Sequence, residues 1–466
     1  MRKRELFAWF CCGLILAASG AAYGGQRGLV PELEYDIIDL DTGVTTNMGG
    51  VSAAYNSTDN EYRVVWFDSR VPGQNDVYAQ RVAPDGTLLG INLRIIAGPN
   101  SQTDTGVAYD PLNNRYFITW RNQSDGPGSP GFNHAFGGLA SATGGLIGSE
   151  FDVSNAGLEA TLAYNSTDNE YFLEARNFAG GGSAGIYARR VSSEGVLIGG
   201  NIIITTSGAP APAGQVAYNS NGNQYLATWR DQSNDNLKGR IINADGSFAT
   251  SPFVISSMFP ESGLAASVAF DPGHDRYLVV FSEFCASGVY GQFVTSSGSL
   301  DGPTFTIAGG TARLSPFVAW DGVNGVFLVA WVNNDTGGLT LQLLYDDGSL
   351  TGDPLPIPNP GSAVGPPRIA ANSTEGGFIV AWSDHIWDPP GQHDILAQLV
   401  GVTNTCPADL NGDGVVTLSD LAQLLASYGL CDGDPGYDPA ADLSGDDCVT
   451  LTDLATLLGV YGTECP

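Results

Sequence analysis

Tyr55-Asn-Ser-Thr-Asp-Asn60-Glu-Tyr62-Arg-Val-Val-Trp66 decides the fold, because its pattern comes back along most of the chain. An aromatic ends a first apolar run at Tyr55, Tyr109, Tyr164, Tyr218, Phe270 and Trp320, and Ala371 takes the seventh place. A second aromatic follows seven residues later, at Tyr62, Tyr116, Tyr171, Tyr225, Tyr277, Phe327 and Phe378. Four residues beyond stand Trp66, Trp120, Ala175, Trp229, Phe281, Trp331 and Trp382. The gap between the first two is filled by turn formers, as in Asn219-Ser-Asn-Gly-Asn223. Two side chains four apart on a strand share one face, so each unit is a hairpin carrying a row of aromatics.

A third strand follows the hairpin, at Val77–Val82, Ile186–Val191, Val289–Val294 and Ile395–Val400. Turns at Asp85-Gly86, Glu194-Gly195, Asp245-Gly246 and Asp347-Gly348 lead into a short fourth strand, as at Arg94–Ala97, Phe151–Ser154 and Phe253–Ser256. Four antiparallel strands in about 50 residues, repeated seven times, predict a mainly β fold, a seven-bladed β-propeller over residues 33–402. The last unit lacks a fourth strand, and Tyr35-Asp-Ile-Ile-Asp39 precedes the first unit as an orphan. Pairing the two would close the ring and leave no free edge. The repeats carry the signature of no named propeller family.

Residues 1–25 read as a secretory signal. Arg2, Lys3 and Arg4 precede a short apolar run, Leu6 to Ala18, and small residues follow. Cys11 and Cys12 fall inside that run and are expected to leave with it. The run is too short to span a membrane, so the mature protein is expected to be secreted and extracellular. With 19 Lys and Arg against 49 Asp and Glu, a formal charge of −30 argues against nucleic acid or anionic membrane as a partner.

The end of the chain has a different texture. Asp409-Leu-Asn411-Gly412-Asp413-Gly414-Val415-Val-Thr-Leu418-Ser419-Asp420 is echoed by Asp442-Leu-Ser444-Gly445-Asp446-Asp447-Cys448-Val-Thr-Leu451-Thr452-Asp453. Oxygen ligands at positions 1, 3, 5 and 12, with the carbonyl at position 7, suit calcium. The first set would be Asp409, Asn411, Asp413, Val415 and Asp420, and the second Asp442, Ser444, Asp446, Cys448 and Asp453. Asp447 stands where the first loop has Gly414 and would need left-handed φ. After each loop an apolar helix face runs through Leu421, Leu424, Leu425 and Tyr428, and through Leu454, Leu457, Leu458 and Tyr461. Gly429 and Gly462 then end the helices.

These paired loops, each with one following helix, resemble a type I dockerin over residues 406–466. The resemblance implies a small α-helical, EF-hand-like module holding two calcium ions. It implies a cohesin-type module on a scaffold or cell-surface protein as partner, met through Leu418, Ser419, Leu451 and Thr452. It also links the chain to extracellular polysaccharide breakdown. The tail holds ten Asp, one Glu and no Lys or Arg, so its folding is expected to need cations. Its four cysteines, Cys406, Cys431, Cys448 and Cys465, allow three pairings.

Chemistry in the propeller is harder to read. Polar residues end the second strands at Asp68, Arg121, Arg176, Arg230, Glu283, Asn333 and Asp384, and would ring one face. Asp68, Glu283 and Asp384 are the weak catalytic candidates for a glycoside hydrolase or polysaccharide lyase, which needs paired carboxyl groups. The bland alternative is that strand ends are polar because they are solvated. His134 and His274 are isolated, while His385 and His393 share a loop with Trp387 but match no ligand spacing. Cys285 reads as a small buried residue. Three functions stand open: a recognition module carrying a docking tail, a glycosidic hydrolase or lyase, or a calcium-stabilised surface protein without enzymatic activity.

Overall fold

The computed structural model describes the chain apart from residues 1–26, 31–37, 41–47, 72, 99–100, 124–133, 155–157, 178–184, 207–210, 258–265, 284–287, 311–312, 334, 359–364, 385–393, 405–407, 412–414, 432, 445–446 and 464–466. The signal segment, Cys285, His385, Trp387, His393, Cys406, Cys465, Asp413, Gly414 and Asp446 lie outside the described residues. Chain contacts separate one compact unit, Leu29–Gly401, from another formed mainly by Val402–Pro466.

The first unit is a seven-bladed propeller. Six sheets contain four consecutive antiparallel strands each, and the seventh joins both ends of the unit. Blade 1 shows the plan: Met48–Asn56 innermost, then Glu61–Asp68, Asp76–Val82 and Leu88–Ile96 outermost. Innermost strands touch their neighbours all the way round, and Arg368–Ala371 of blade 7 lies against Met48–Asn56. In blade 7 the third strand, Ile395–Asn404, pairs with Ile38–Asp39, Ile38 facing Ala397 and Asp39 facing Leu396. Arg27–Val30 joins the same strand. The closure expected from the orphan N-terminal segment is therefore present for Ile38–Asp39.

The aromatic rows are the glue between blades. Tyr62 and Trp66 pack with Ile379, Ala381 and Ala397 of blade 7, and Tyr225 and Trp229 pack with Phe172 and Ala188 of blade 3. Each second aromatic also faces its own anchor across the hairpin, as Tyr55 faces Tyr62 with ring centroids 5.3 Å apart. Tilted pairs at that distance suit the ring quadrupoles.

Two further seven-fold patterns emerge from the structure. The residue before each anchor is alanine: Ala54, Ala108, Ala163, Ala217, Ala269, Ala319 and Ala370. A side chain of one carbon lets neighbouring innermost strands approach where the ring is narrowest. The residue after each anchor is Asn or Asp, and all seven are buried: Asn56, Asp110, Asn165, Asn219, Asp271, Asp321 and Asn372. Their side-chain oxygens accept backbone N–H groups of the hairpin, as Asn165 does from Thr167 and Asp168 at 2.9 Å each. Such an Asx turn satisfies donors that burial would otherwise strand. The turn finishes on a left-handed residue, Asn60, Asn114, Asn169, Asn223 or Asp275 at φ of 46–53° in the first five blades. These turns also bond blade to blade. Asn56 Nδ2 donates to Asn114 at 3.0 Å, Asn165 Nδ2 to Asn223 at 2.8 Å, and Asn60 Nδ2 meets Glu375 of blade 7 at 2.8 Å.

The fourth strand of blade 4 is Phe253–Ser256, as expected, but those of blades 1 and 2 are longer than the sequence pattern implies, Leu88–Ile96 rather than Arg94–Ala97 and Leu146–Ser154 rather than Phe151–Ser154. The difference is a bulge. Gly90 takes φ of +78°, and Gln80 of the third strand reaches the freed Leu89 carbonyl at 3.2 Å. Gln292 and Gln342 do the same at Gly302 and Thr351. A bulge breaks the alternation of side chains, so the first half of these longer strands is unreadable as a strand.

In the second unit, α1 spans Leu418–Ala426 and α2 spans Leu451–Gly459. Both begin three residues earlier than the leucine spacing suggests, because Thr417 and Thr450 are N-caps with Asp420 and Asp453 completing capping boxes. The C-caps are Ser427 and Val460, and Gly429 and Gly462 follow two residues later with φ of +82°. The core is small and matched in pairs: Ala408 and Ala441, Val416 and Val449, Leu424 and Leu457. A disulfide joins Cys431 to Cys448.

Candidate functional site

In the tail the two loops are held shut by the same bonds. Asp420 Oδ1 accepts from the Asn411 backbone at 3.1 Å and Oδ2 from Thr417 at 2.8 Å. Asp453 repeats this with Ser444 at 2.7 Å and Thr450 at 2.6 Å. Burial raises the pKa of each carboxyl, but these backbone donors outweigh it and hold both below the ordinary 3.8. Crossed bonds then tie loop to opposite helix end. Val449 accepts from Gly429 and donates to Leu430, and Val416 donates to Thr463 and accepts from Gly462. Ser444 Oγ lies 3.3 Å from Asp442 Oδ1, bringing together two of the oxygens expected of the second loop. Asp447 takes φ of +65°, the left-handed turn its position requires. Among the described residues no three His, Cys, Asp or Glu side chains gather closely enough to hold a metal ion. Leu418 and Leu451 stand out into solvent, 67% and 68% exposed, as do Ser419 and Thr452 beside them. Half of each leucine-tyrosine face is likewise uncovered: Leu425, Tyr428, Leu458 and Tyr461 are exposed.

In the propeller the catalytic candidates fall at the ends of second strands in blades 1, 5 and 7. Asp68 is buried and engaged in its own blade. Its Oδ1 accepts from the Arg70 backbone and its Oδ2 from Arg70 Nε at 2.7 Å. Asp76, directly across the ladder, pairs with Arg94 at 2.6 Å. Burial pushes Asp76 up in pKa, and Arg94 opposes this. Two adjacent carboxylates, each with its own guanidinium, are local ion pairs rather than an acid–base couple. Asp384 accepts the backbone N–H of Asp394 at 2.8 Å, closing a loop. Glu283 is raised by burial. Of the other ring members, Arg230 pairs with Asp235 at 2.7 Å and Asn333 donates to Thr340 at 3.1 Å. His134 pairs with Asp152 in its own blade, and His274 with Asp271 of its own blade and, at 3.6 Å, with Asp346 of the next.

Two features were not singled out in the sequence. The first is Glu174, fully buried in the second strand of blade 3. Neither of its oxygens has a hydrogen-bond partner among the described residues, and burial alone pushes its pKa well up. The sequence signal was a lone acid where other blades carry Val65, Thr119, Thr228, Val280, Ala330 and Ala381. A carboxyl raised in the folded state favours folding below its unfolded pKa, and that advantage is lost as pH rises toward the folded value. Glu174→Leu is therefore expected to unfold later than the parent at pH 7, by roughly 1–3 kcal/mol, the usual cost of a buried polar group without a partner. The gain should shrink as pH falls toward 4, which thermal melts across pH would check.

The second is a cluster of guanidinium groups around Asp104. Asp104 sits at a bulge of the innermost strand Ser101–Asp110, with φ of +51°. Arg121 contacts it at 3.1 Å, and Arg176 of blade 3 and Arg368 of blade 7 lie within electrostatic reach. Blade 1, between blades 7 and 2, offers only Gly49 and Gly50 here, and a Cβ on Gly50 would lie 3.2 Å from the Asp104 nitrogen.

The fold thus defines the class, a seven-bladed β-propeller joined to a small two-helix unit with one disulfide among the described residues. No described helix is long and apolar enough to cross a membrane. No family model matches the chain, and no curated protein does. Among solved structures, a protein of unknown function from Dyadobacter fermentans DSM 18053 matches with a TM-score of 0.50 and 11% identity, over 81% of this chain and 100% of that one. Hydrazine synthase of Kuenenia stuttgartiensis matches with a TM-score of 0.49 and 11% identity, over 78% of this chain and 98% of that one. At such identity the first likeness is one of fold alone, and the second is too distant to carry even that.

Proposed function

We propose that this is a secreted recognition protein whose propeller binds a carbohydrate or protein and whose tail is a calcium-dependent docking module of dockerin type. The observation that carries the reading is the repeated closure of the two tail loops by Asp420 and Asp453, with Leu418-Ser419 and Leu451-Thr452 left exposed at matching places. The ligands Asp409, Asn411, Asp413, Val415 and Asp420, then Asp442, Ser444, Asp446, Cys448 and Asp453, offer only oxygens, the donors a hard cation takes. Two calcium ions would offset much of a tail that carries eleven acids and no base. Residues 1–25 act as the export signal, and the disulfide suits an oxidising exterior.

The partner is a cohesin-type module on a scaffold or cell surface, and polysaccharide breakdown is the setting. An enzymatic propeller is the weaker reading, because Asp68 is already engaged by Arg70. Immobilised cohesin modules should retain the whole chain in calcium and release it in chelator. Leu418→Asp with Leu451→Asp should weaken capture at least about tenfold, or about 1.4 kcal/mol. Capture that survives chelation, or ignores both substitutions, would refute docking through these residues.

A further inference from the structure

We infer that the cleft between blades 5 and 6 binds a neutral sugar residue. The inference rests on the recognition role proposed for the propeller, narrows its ligand to a carbohydrate, and is independent of the calcium module. Blade 6 consists of Arg313–Asp321, Val326–Asn333, Gly338–Tyr345 and Leu350–Ile357. Its Val329 and Trp331 pack against blade 5, Ile307 among others. On that face blade 6 departs from the other blades at two neighbouring places.

The first is Thr340. Across the ladder from the last aromatic position of the second strand, six blades carry a long or bulky side chain: Tyr78, Phe136, Tyr187, Lys238, Tyr290 and Leu396. Blade 6 sets Thr340 opposite Trp331, the smallest of the seven. In blade 5 the Tyr290 ring stacks beside Phe281 with centroids 6.0 Å apart, and Thr340 has no ring to do the same. The second place is Pro354. Gln80, Gln292 and Gln342 each use Nε2 to hold the bulge of the fourth strand. In blade 1 Asn92 donates to Gln80 Oε1 at 2.8 Å, and in blade 5 Thr304 donates to Gln292 Oε1 at 2.7 Å. The equivalent residue of blade 6 is Pro354, whose ring has no proton to give. Gln342 is 1% exposed, and no described residue donates to its Oε1.

Both departures open on one cavity of about 460 Å³, a size usual for small-ligand sites. Ile307, Trp331 and Pro356 give it apolar walls, Asn333, Thr340 and Gln342 give it polar groups, and no residue lining it is charged. Thr340 Oγ1 accepts from Asn333 Nδ2 at 3.1 Å, and no described residue accepts the Thr340 hydroxyl proton. The cavity therefore offers a buried acceptor and a buried donor, two residues apart on one strand face, beside an apolar wall. Hydroxyl groups can answer both, since each donates and accepts. A hydrocarbon would leave Gln342 Oε1 without a donor, and an anion would bury its charge with no cation to meet it. An uncharged ring that carries hydroxyls at its rim and C–H groups on its face satisfies all three conditions, and that is a sugar.

The test uses the full chain in calcium. Neutral oligosaccharides of glucose, xylose, mannose, galactose and N-acetylglucosamine, with oligogalacturonate as the charged comparison, are offered at millimolar concentration. Binding is read by saturation-transfer NMR and titrated by calorimetry. At least one neutral sugar is expected to bind, and oligogalacturonate is not. Two substitutions copy blade 5 into blade 6: Thr340→Tyr fills the cavity with a ring, and Pro354→Thr supplies the donor that Gln342 lacks. The first should weaken binding at least tenfold and the second at least threefold, with no fall in Tm. A neutral sugar held equally by the parent and both variants overturns the cleft as the site and leaves carbohydrate recognition elsewhere on the propeller. Binding of no neutral sugar, or of oligogalacturonate alone, overturns the inference; in the former case the proposed recognition is left with a protein ligand. Should Thr340→Tyr not fold, an unchanged Kd in Pro354→Thr overturns it alone. None of these outcomes bears on capture by cohesin modules, so the two readings fail separately.

Discussion

Chelating calcium is expected to unfold α1 and α2 while the propeller stays folded. The tail has a core of six buried apolar side chains, too few to hold a unit of its size without other supports. It also carries acids alone, whose mutual repulsion favours the open chain. A cation bound only by the folded form adds stability by mass action, about 4 kcal/mol at a thousandfold excess over Kd. Amide hydrogen exchange should show protection at Leu421–Leu425 and Leu454–Leu458 collapsing in chelator, with exchange in blades 1–7 unchanged.

Asp420→Ala with Asp453→Ala should reproduce the chelated state even in calcium. Each substitution removes a proposed calcium ligand, and with it a capping-box partner and two loop-closing acceptors. Acid should act in the same direction. Both carboxyls have pKa values lowered from 3.8 on folding, so their contribution is present above that value and is lost as pH falls through the lower, folded one. Full protection in chelator would show instead that the Cys431–Cys448 disulfide and the small core suffice.

Removing the chain up to Asp39 is expected to destabilise the propeller more than any substitution on its surface. Ile395–Asn404 would lose its outer partner and expose unpaired N–H and C=O groups along a hydrophobic edge. Leu40 sits at the same seam. It is fully buried between blades 7 and 1, donates its N–H to Ile395 at 2.8 Å, and its carbonyl accepts from Asn92 at 2.7 Å. Leu40→Ala alone should cost about 2–5 kcal/mol. The truncated chain should melt earlier and self-associate, seen by calorimetry and light scattering. A monomeric truncation with the parent Tm would mean that blade 7 closes without its N-terminal strand.

Local chemistry is legible in the sequence alone. A hairpin is written within a dozen residues, so its aromatics, turn formers and strand alternation could be counted, and seven counts made a ring. Two of the strongest signals were present but passed over: the alanine before each anchor and the Asn or Asp after it, from Ala54-Tyr55-Asn56 to Ala370-Ala371-Asn372. Both matter through neighbouring blades, and a single unit gives no reason to weigh them. The tail's capping threonines were hidden similarly, because leucine spacing alone marks a helix face and not its start.

Closure of the ring decided the rest. Asp104 and Arg368 are far apart in the chain and come within electrostatic reach only because blade 7 returns beside blade 1. Asp68 looked like a ring-facing acid until the strand end placed Arg70 against it. Glu174 is a lone acid in the sequence, and only the fold buries it without a partner among the described residues. Strand and turn preferences act between neighbours in sequence and can be read there, whereas the environment of a charge depends on what the closed fold brings around it.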